Sequence, residues 1–269
     1  MKLSASNIIW DSPELDLFLS SCAELGCLGV ELAPDKIWKK PLESSISDRK
    51  KIVKQIRDSS LELVGFHALL YTRKDLKLFK SKDSFNKTIL YLTSLASLCA
   101  EMGGQNLILG SPSNRSLCGR KFDDCFRQAI EGFGQIADVC KKFDINFCIE
   151  PLPPSQTEFI SSATEGERLV KAVNHPNFHL HLDASALRSE RTPPELVIKS
   201  TITPHHFHIN DPDLSIPGSL TNDLPVMIKA LTEKDYTGFL SVEVLSKEND
   251  PLEALNKSIS YVKKLINKI

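Results

Sequence analysis

Short runs of apolar and β-branched residues recur along the chain, separated by longer stretches with apolar residues at every third or fourth position. The short runs predict strands over residues 2–5, 28–32, 61–66, 106–109, 146–150, 178–183, 205–210 and 239–243. The amphipathic stretches predict helices over 13–25, 45–59, 84–102, 122–142, 164–173, 194–198, 224–231 and 251–266. Asp11-Ser12-Pro13 and Asp250-Pro251 supply helix starts in which proline takes the first turn. Strands alternating with helices imply βαβ units and a parallel sheet. Eight of each in 269 residues is the arithmetic of an α/β fold, a single (β/α)8 TIM barrel spanning residues 1–269. A doubly wound sheet would open with a glycine-rich phosphate loop after its first strand, and none follows Ala5. No Pro/Gly/Ser-rich linker, charge block or low-complexity tract marks a domain boundary.

Alternation within the strands says which side chains face the barrel interior. In Phe178-His179-Leu180-His181-Leu182-Asp183 the apolar residues share one face and the polar ones the other. Helices cover the outside of a barrel, so the apolar set points outward and the polar set inward. The same reading turns His206 and His208 inward on the seventh strand, Glu150 on the fifth, and Ser241 and Glu243 on the eighth. Strands five to eight thus each carry an ionisable residue inward at or near the C-terminal end, where barrel enzymes place their chemistry. Being consecutive, they should bring Glu150, Asp183, His208 and Glu243 to one point. Three carboxylates there repel one another, and a single divalent cation is the simplest remedy. Three carboxylates and one imidazole suit Mn²⁺, Mg²⁺ or Co²⁺, with Zn²⁺ also admissible. A metal held this way leaves positions open for a substrate carbonyl and hydroxyl. His179 and His181 lie deeper in their strand and read as hydrogen-bonded core histidines.

Composition narrows the field further. The chain has 33 Lys plus Arg against 34 Asp plus Glu, so no excess of positive charge is available for a nucleic-acid backbone. Hydrophobic residues at 41% and charged residues at 25% exclude disordered and fibrous classes. No apolar run approaches the ~20 residues that span a bilayer, so no membrane partner is expected. The N-terminus meets Ser6 and Asn7 too early for the apolar core of a signal peptide. Seven cysteines without a C-x-x-C pair read as reduced thiols, which points to a cytoplasmic protein.

At these residues the sequence resembles the sugar phosphate isomerase/epimerase superfamily, the xylose isomerase-like TIM barrels that include ketose 3-epimerases and hydroxypyruvate isomerase. The resemblance runs through Gly29-Val30-Glu31-Leu32, Ile149-Glu150-Pro151-Leu152, His181-Leu182-Asp183-Ala184, His206-Phe207-His208-Ile209-Asn210-Asp211 with Pro217-Gly218, and Ser241-Val242-Glu243. It implies that Glu150, Asp183, His208 and Glu243 bind one metal ion and that Glu150 and Glu243 are the catalytic acid/base pair. Proton removal beside a polarised carbonyl gives an enediolate, and a second carboxylate returns the proton to the other face or the neighbouring carbon. The implied substrate is a small sugar or sugar phosphate. His67, Arg115, Glu31 and His206 are the candidate substrate-binding residues; Arg115 could fork onto a phosphate or carboxylate. Glu31 could bond a sugar hydroxyl or complete a polar layer. Barrels of this kind are often homodimers or homotetramers.

Two positions depart from the ketose 3-epimerase pattern. Ala186 stands where a substrate-binding histidine is usual, and Leu214 where an arginine is common. The departures keep three other readings open. These are a metal-dependent keto-polyol dehydratase, a non-catalytic sugar-binding barrel, and a nuclease like endonuclease IV, to whose ligand list His67 would add.

Overall fold

The computed structural model describes residues 1–10, 14–245 and 250–268. The helix start expected at Asp11-Ser12-Pro13 lies outside the described residues. Eight parallel strands close into a ring in sequence order. They are β1 (Lys2–Ser6), β2 (Gly29–Leu32), β3 (Glu62–Phe66), β4 (Asn106–Leu109), β5 (Asn146–Ile149), β6 (Phe178–Asp183), β7 (His206–Ile209) and β8 (Phe239–Val242). The ring closes where β1 pairs with β8, Ser4 opposite Ser241.

The helices are α1 (Leu15–Leu25), α2 (Pro34–Ile37), α3 (Ile46–Asp58), α4 (Lys82–Glu101), α5 (Phe122–Lys142), α6 (Ala163–Val173), α7 (Ala184–Arg188), α8 (Pro194–Ser200), α9 (Leu224–Thr232) and α10 (Pro251–Ile266). All eight expected helices are present; α2 and α7, each too short to show a helical period, are additions. Local chemistry sets their ends. The side chains of Ser45, Ser81 and Ser162 accept from the backbone N–H three residues on, in Asp48, Ser84 and Glu165. Proline occupies the first turn of α8, α9 and α10, where its missing N–H costs nothing. In α5, Asp123 and Asp124 in the first turn and Lys141 and Lys142 in the last complement the helix dipole.

The apolar core lies between the sheet and this outer ring. Phe133 of α5 packs edge-on to Phe147 of β5 at 5.4 Å between centroids, and both meet Phe178 of β6. Burying such a ring contributes roughly 1.5–3 kcal/mol, which holds α5 against the strands that carry Glu150 and Asp183. The alternation expected on β6 holds, with Phe178, Leu180 and Leu182 in that apolar core. All seven cysteines are free thiols, six buried and Cys118 exposed. Among the described residues no helix is long and apolar enough to cross a membrane.

Candidate metal centre and acid/base pair

Glu150 and Glu243 stand one residue beyond the ends of β5 and β8, while Asp183 closes β6 and His208 lies within β7. The register sets Asp183 opposite His208 and His208 opposite Ser241, so the ends of these strands meet at one level. Each of the four side chains offers a ligand atom, and these atoms lie within 4.8 Å of one another. That arrangement could hold a metal ion. Close approach is built into the backbone. A Cβ at Gly110, after β4, would come within 2.2 Å of Glu150 Oε2, so glycine leaves the space the carboxylate occupies.

Two imidazoles fix Glu243. His67 Nδ1 lies 3.0 Å from its Oε1 and His208 Nδ1 lies 3.1 Å from its Oε2. Ser6, at the end of β1, hydrogen-bonds the other nitrogen of His67. His208 in turn presents Nε2 to Glu31 at 3.0 Å. Asp183 accepts from the Ala186 N–H at 2.7 Å and from Asn210 Nδ2 at 2.6 Å. It therefore caps α7 while facing the cluster.

The electrostatics divide the carboxylates into two kinds. Burial and the charge of Glu243 drive the Glu150 carboxyl well above its ordinary range. The same two causes push Asp183 up to about 6. For Glu243 burial acts upward too, but His208 and His67 outweigh it and hold the carboxyl far below the usual range. His208 also feels burial, yet the carboxylates of Glu243 and Glu31 raise it well above an ordinary imidazole. The donor set fits a hard divalent cation, since three carboxylates and one imidazole converge in a buried cluster.

The expected substrate residues fall into two groups. His67, 1% exposed, contacts Glu243 as described. Arg115 is fully buried on the loop after β4, close enough to Glu150 for each charge to shift the other's proton affinity. Glu31 and His206 lie deeper, in the polar layer that is the alternative reading for Glu31. Glu31 is 0% exposed, with Oε2 hydrogen-bonded to His208 and Oε1 3.1 Å from His206 Nε2 but without a hydrogen bond of its own. His206 pairs with His181 in register, one inward-facing level below His208. His181 corrects an expectation. It is fully buried, but neither ring nitrogen has a hydrogen-bond partner, and burial then His208 hold its pKa well below the ordinary value. His181, His206 and His208 also form a compact nitrogen-rich group.

Ser6 and Asn210 escaped the sequence reading as supports, although each sits at a strand end beside a residue that did not. Their signal is weak because a serine or asparagine at a strand end is ordinary turn chemistry.

Three comparisons bear on this geometry. A "Probable ketose 3-epimerase" of Synechocystis sp. is 28% identical over 183 residues, 64% of this chain and 61% of that protein. A "D-psicose 3-epimerase" of Agrobacterium fabrum is 29% identical over 124 residues, 45% of this chain and 43% of that protein. The chain thus matches about three-fifths or less of the length of these relatives. A crystal structure of D-psicose 3-epimerase in the presence of D-fructose superposes with a TM-score of 0.85 over 99% of both chains; at 19% identity this is a likeness of fold. The model of the xylose isomerase-like TIM barrel family matches residues 19–265, and the chain belongs to that family.

Proposed function

We propose that the protein is a metal-dependent isomerase or epimerase of a small sugar, with Glu150 and Glu243 as the proton-transfer pair. The observation that carries this reading is the convergence of Glu150, Asp183, His208 and Glu243, whose ligand atoms lie within 4.8 Å of one another, with the two glutamates in unlike surroundings. Two imidazoles draw Glu243 below the ordinary carboxylate range, whereas burial and its acidic neighbours raise Glu150 above it. Titratable pairs with environments that drive them apart are how a site supplies an acid and a base together.

Glu150, Asp183, His208 and Glu243 would hold the metal. When bound it supplies Lewis-acid polarisation of a carbonyl and its neighbouring hydroxyl. Glu243, fixed by His67 and His208, is the carboxylate ready to accept the proton from the carbon beside the carbonyl. Glu150, across the cluster, delivers a proton to the opposite face, and the reverse reaction exchanges the roles. Glu31 acts through His208: its carboxylate on Nε2 keeps the ring oriented with Nδ1 toward the centre. Ala186 and Leu214 replace side chains that ketose 3-epimerases use on their sugars, so the substrate differs from the usual ketoses at those contacts. A net charge of −1 weighs against the nuclease reading.

The test is hydrogen exchange at carbon. Protein loaded with Mn²⁺ in D₂O should exchange the C3 hydrogen of a ketose, read by proton NMR, and should yield the epimer or the isomeric aldose. Absence of exchange across free, phosphorylated and acidic ketoses overturns the proposal; exchange followed by loss of water identifies a dehydratase instead.

A further inference from the structure

The loop after β4 carries a charge that proton transfer does not use. Arg115 is 0% exposed, and Nε, Nη1 and Nη2 all lack a hydrogen-bond partner. Burial lowers its pKa to about 10, so it stays charged at neutral pH. An unpaired buried charge is among the least favourable arrangements in a folded chain. Arg188, whose side chain is 9% exposed, shows how such a group is ordinarily satisfied. Arg188 gives two nitrogens to Asp223 at 2.8–3.0 Å and donates Nη1 to Asn210 O at 2.7 Å.

The loop is braced around Arg115 rather than draped over it. Asn114 Nδ2 donates to Arg73 O at 2.8 Å and to Leu76 O at 2.5 Å, and Leu78 N–H donates to Asn114 O at 2.9 Å. On the other side, Ser116 Oγ and Leu117 N–H donate to Glu158 Oε2 at 3.0 Å. Ser111, with φ of 47°, holds a left-handed conformation unfavourable for a residue with a Cβ. A strained, doubly anchored loop that presents a bare guanidinium beside an acid/base glutamate fits a preorganised half of an ion pair.

We infer that Arg115 receives an anionic group of the substrate, a phosphate or a carboxylate, so that the substrate is an acidic keto-sugar rather than a neutral ketose. This rests on the proposed function and sharpens it. The fork geometry of a guanidinium matches two oxygens of either anion. Since no guanidinium atom meets solvent, the anion displaces the cover over Arg115 on entry.

The experiment is titration calorimetry of the Mn²⁺-loaded full chain with D-fructose, D-fructose 6-phosphate and 2-keto-D-gluconate, alongside Arg115→Met and Arg115→Lys. One of the two anions should bind about 10- to 100-fold more tightly than D-fructose, and which one does so separates phosphate from carboxylate. In Arg115→Met that ratio should fall towards one, with part of it restored in Arg115→Lys. Without ligand, Arg115→Met should melt at a higher temperature, because it deletes an unsatisfied buried charge. Equal binding of all three compounds, an unchanged ratio in Arg115→Met, or a lower melting temperature of that variant would overturn the inference. Deuterium exchange in the same samples keeps the two readings apart. Exchange without anion preference sinks this inference alone. Anion preference without exchange sinks the isomerase reading and leaves an anion-binding barrel.

Discussion

The two ends of the barrel use the same side-chain types to opposite effect. At the N-terminal end, His179 stacks on His205 with centroids 4.4 Å apart. His179 Nε2 meets Asn146 Oδ1 at 3.1 Å, His205 Nε2 meets Asn106 Oδ1 at 3.0 Å, and Asn106 Nδ2 donates to Val64 O. No carboxylate enters this set. Burial, then neighbouring imidazoles, lowers His205 to about 4, so the pair is neutral. At the C-terminal end, imidazoles alternate with carboxylates, Arg115 and His181 make no hydrogen bond although His181 Nε2 lies 3.8 Å from Glu150 Oε1, and proton affinities diverge in both directions. One end has spent its hydrogen-bonding capacity on itself and adds rigidity; the other has kept capacity in reserve. Unspent polarity, rather than polarity as such, marks the working end.

Substitutions at the two ends should break in different ways. The largest effect is expected from Glu243→Gln or Glu150→Gln, which should lower the rate of C3 hydrogen exchange by roughly 10²–10⁴-fold while circular dichroism stays unchanged. Wild-type exchange in either variant would end the two-glutamate mechanism. Next, Glu31→Gln should weaken Mn²⁺ binding by about 10- to 100-fold through His208, as read by calorimetry. An unaltered dissociation constant would make Glu31 a mere layer residue.

The pH profile of metal binding sharpens the contrast further. Glu150, Asp183 and His208 all hold their protons above ordinary values, so metal entry must expel protons. Affinity should therefore rise with pH, and the gain from Asp183 should accrue below about 6 and level off above it. The slope should approach roughly tenfold per unit for each proton displaced. Calorimetry in buffers of unlike ionisation enthalpy reads the released protons, and a flat profile would contradict the arrangement. The smallest effect belongs to the other end. Asn106→Ala should cost about 1–3 kcal/mol in denaturant unfolding, through the bare His205 nitrogen, with turnover unchanged. Lost turnover in a folded Asn106→Ala protein would erase the distinction between the ends.

Much of this was legible in the chain because a barrel converts a local pattern into a global address. Alternation on single strands suffices to turn Asp183, His208 and Glu243 inward, and strand order suffices to make them neighbours. The contacts that cross the barrel were not legible. Glu31 and His208 are 177 residues apart and meet across the interior, a pairing that depends on how the closed sheet staggers its strands. Hence the sequence leaves Glu31 open between a sugar contact and a polar layer, whereas in the fold its oxygens lie 3.0 and 3.1 Å from the imidazoles of His208 and His206. The missing hydrogen bonds of His181 and Arg115 were likewise invisible, since they are a property of packing and not of pattern. Even α7 was hidden: its five residues start on the side chain of Asp183, whose other oxygen takes the Asn210 amide.

The uneven burial of the cysteines has a practical side. Burial raises the thiols of Cys22, Cys99, Cys125, Cys140 and Cys148, Cys140 to about 12, which leaves them slow to form the reactive thiolate. Cys118 is exposed, three positions from Arg115 on the same loop. A maleimide fluorophore added to the folded protein should therefore settle on one position. That label would ride beside the guanidinium, turning the chain into a reporter of its own loop with no engineered site.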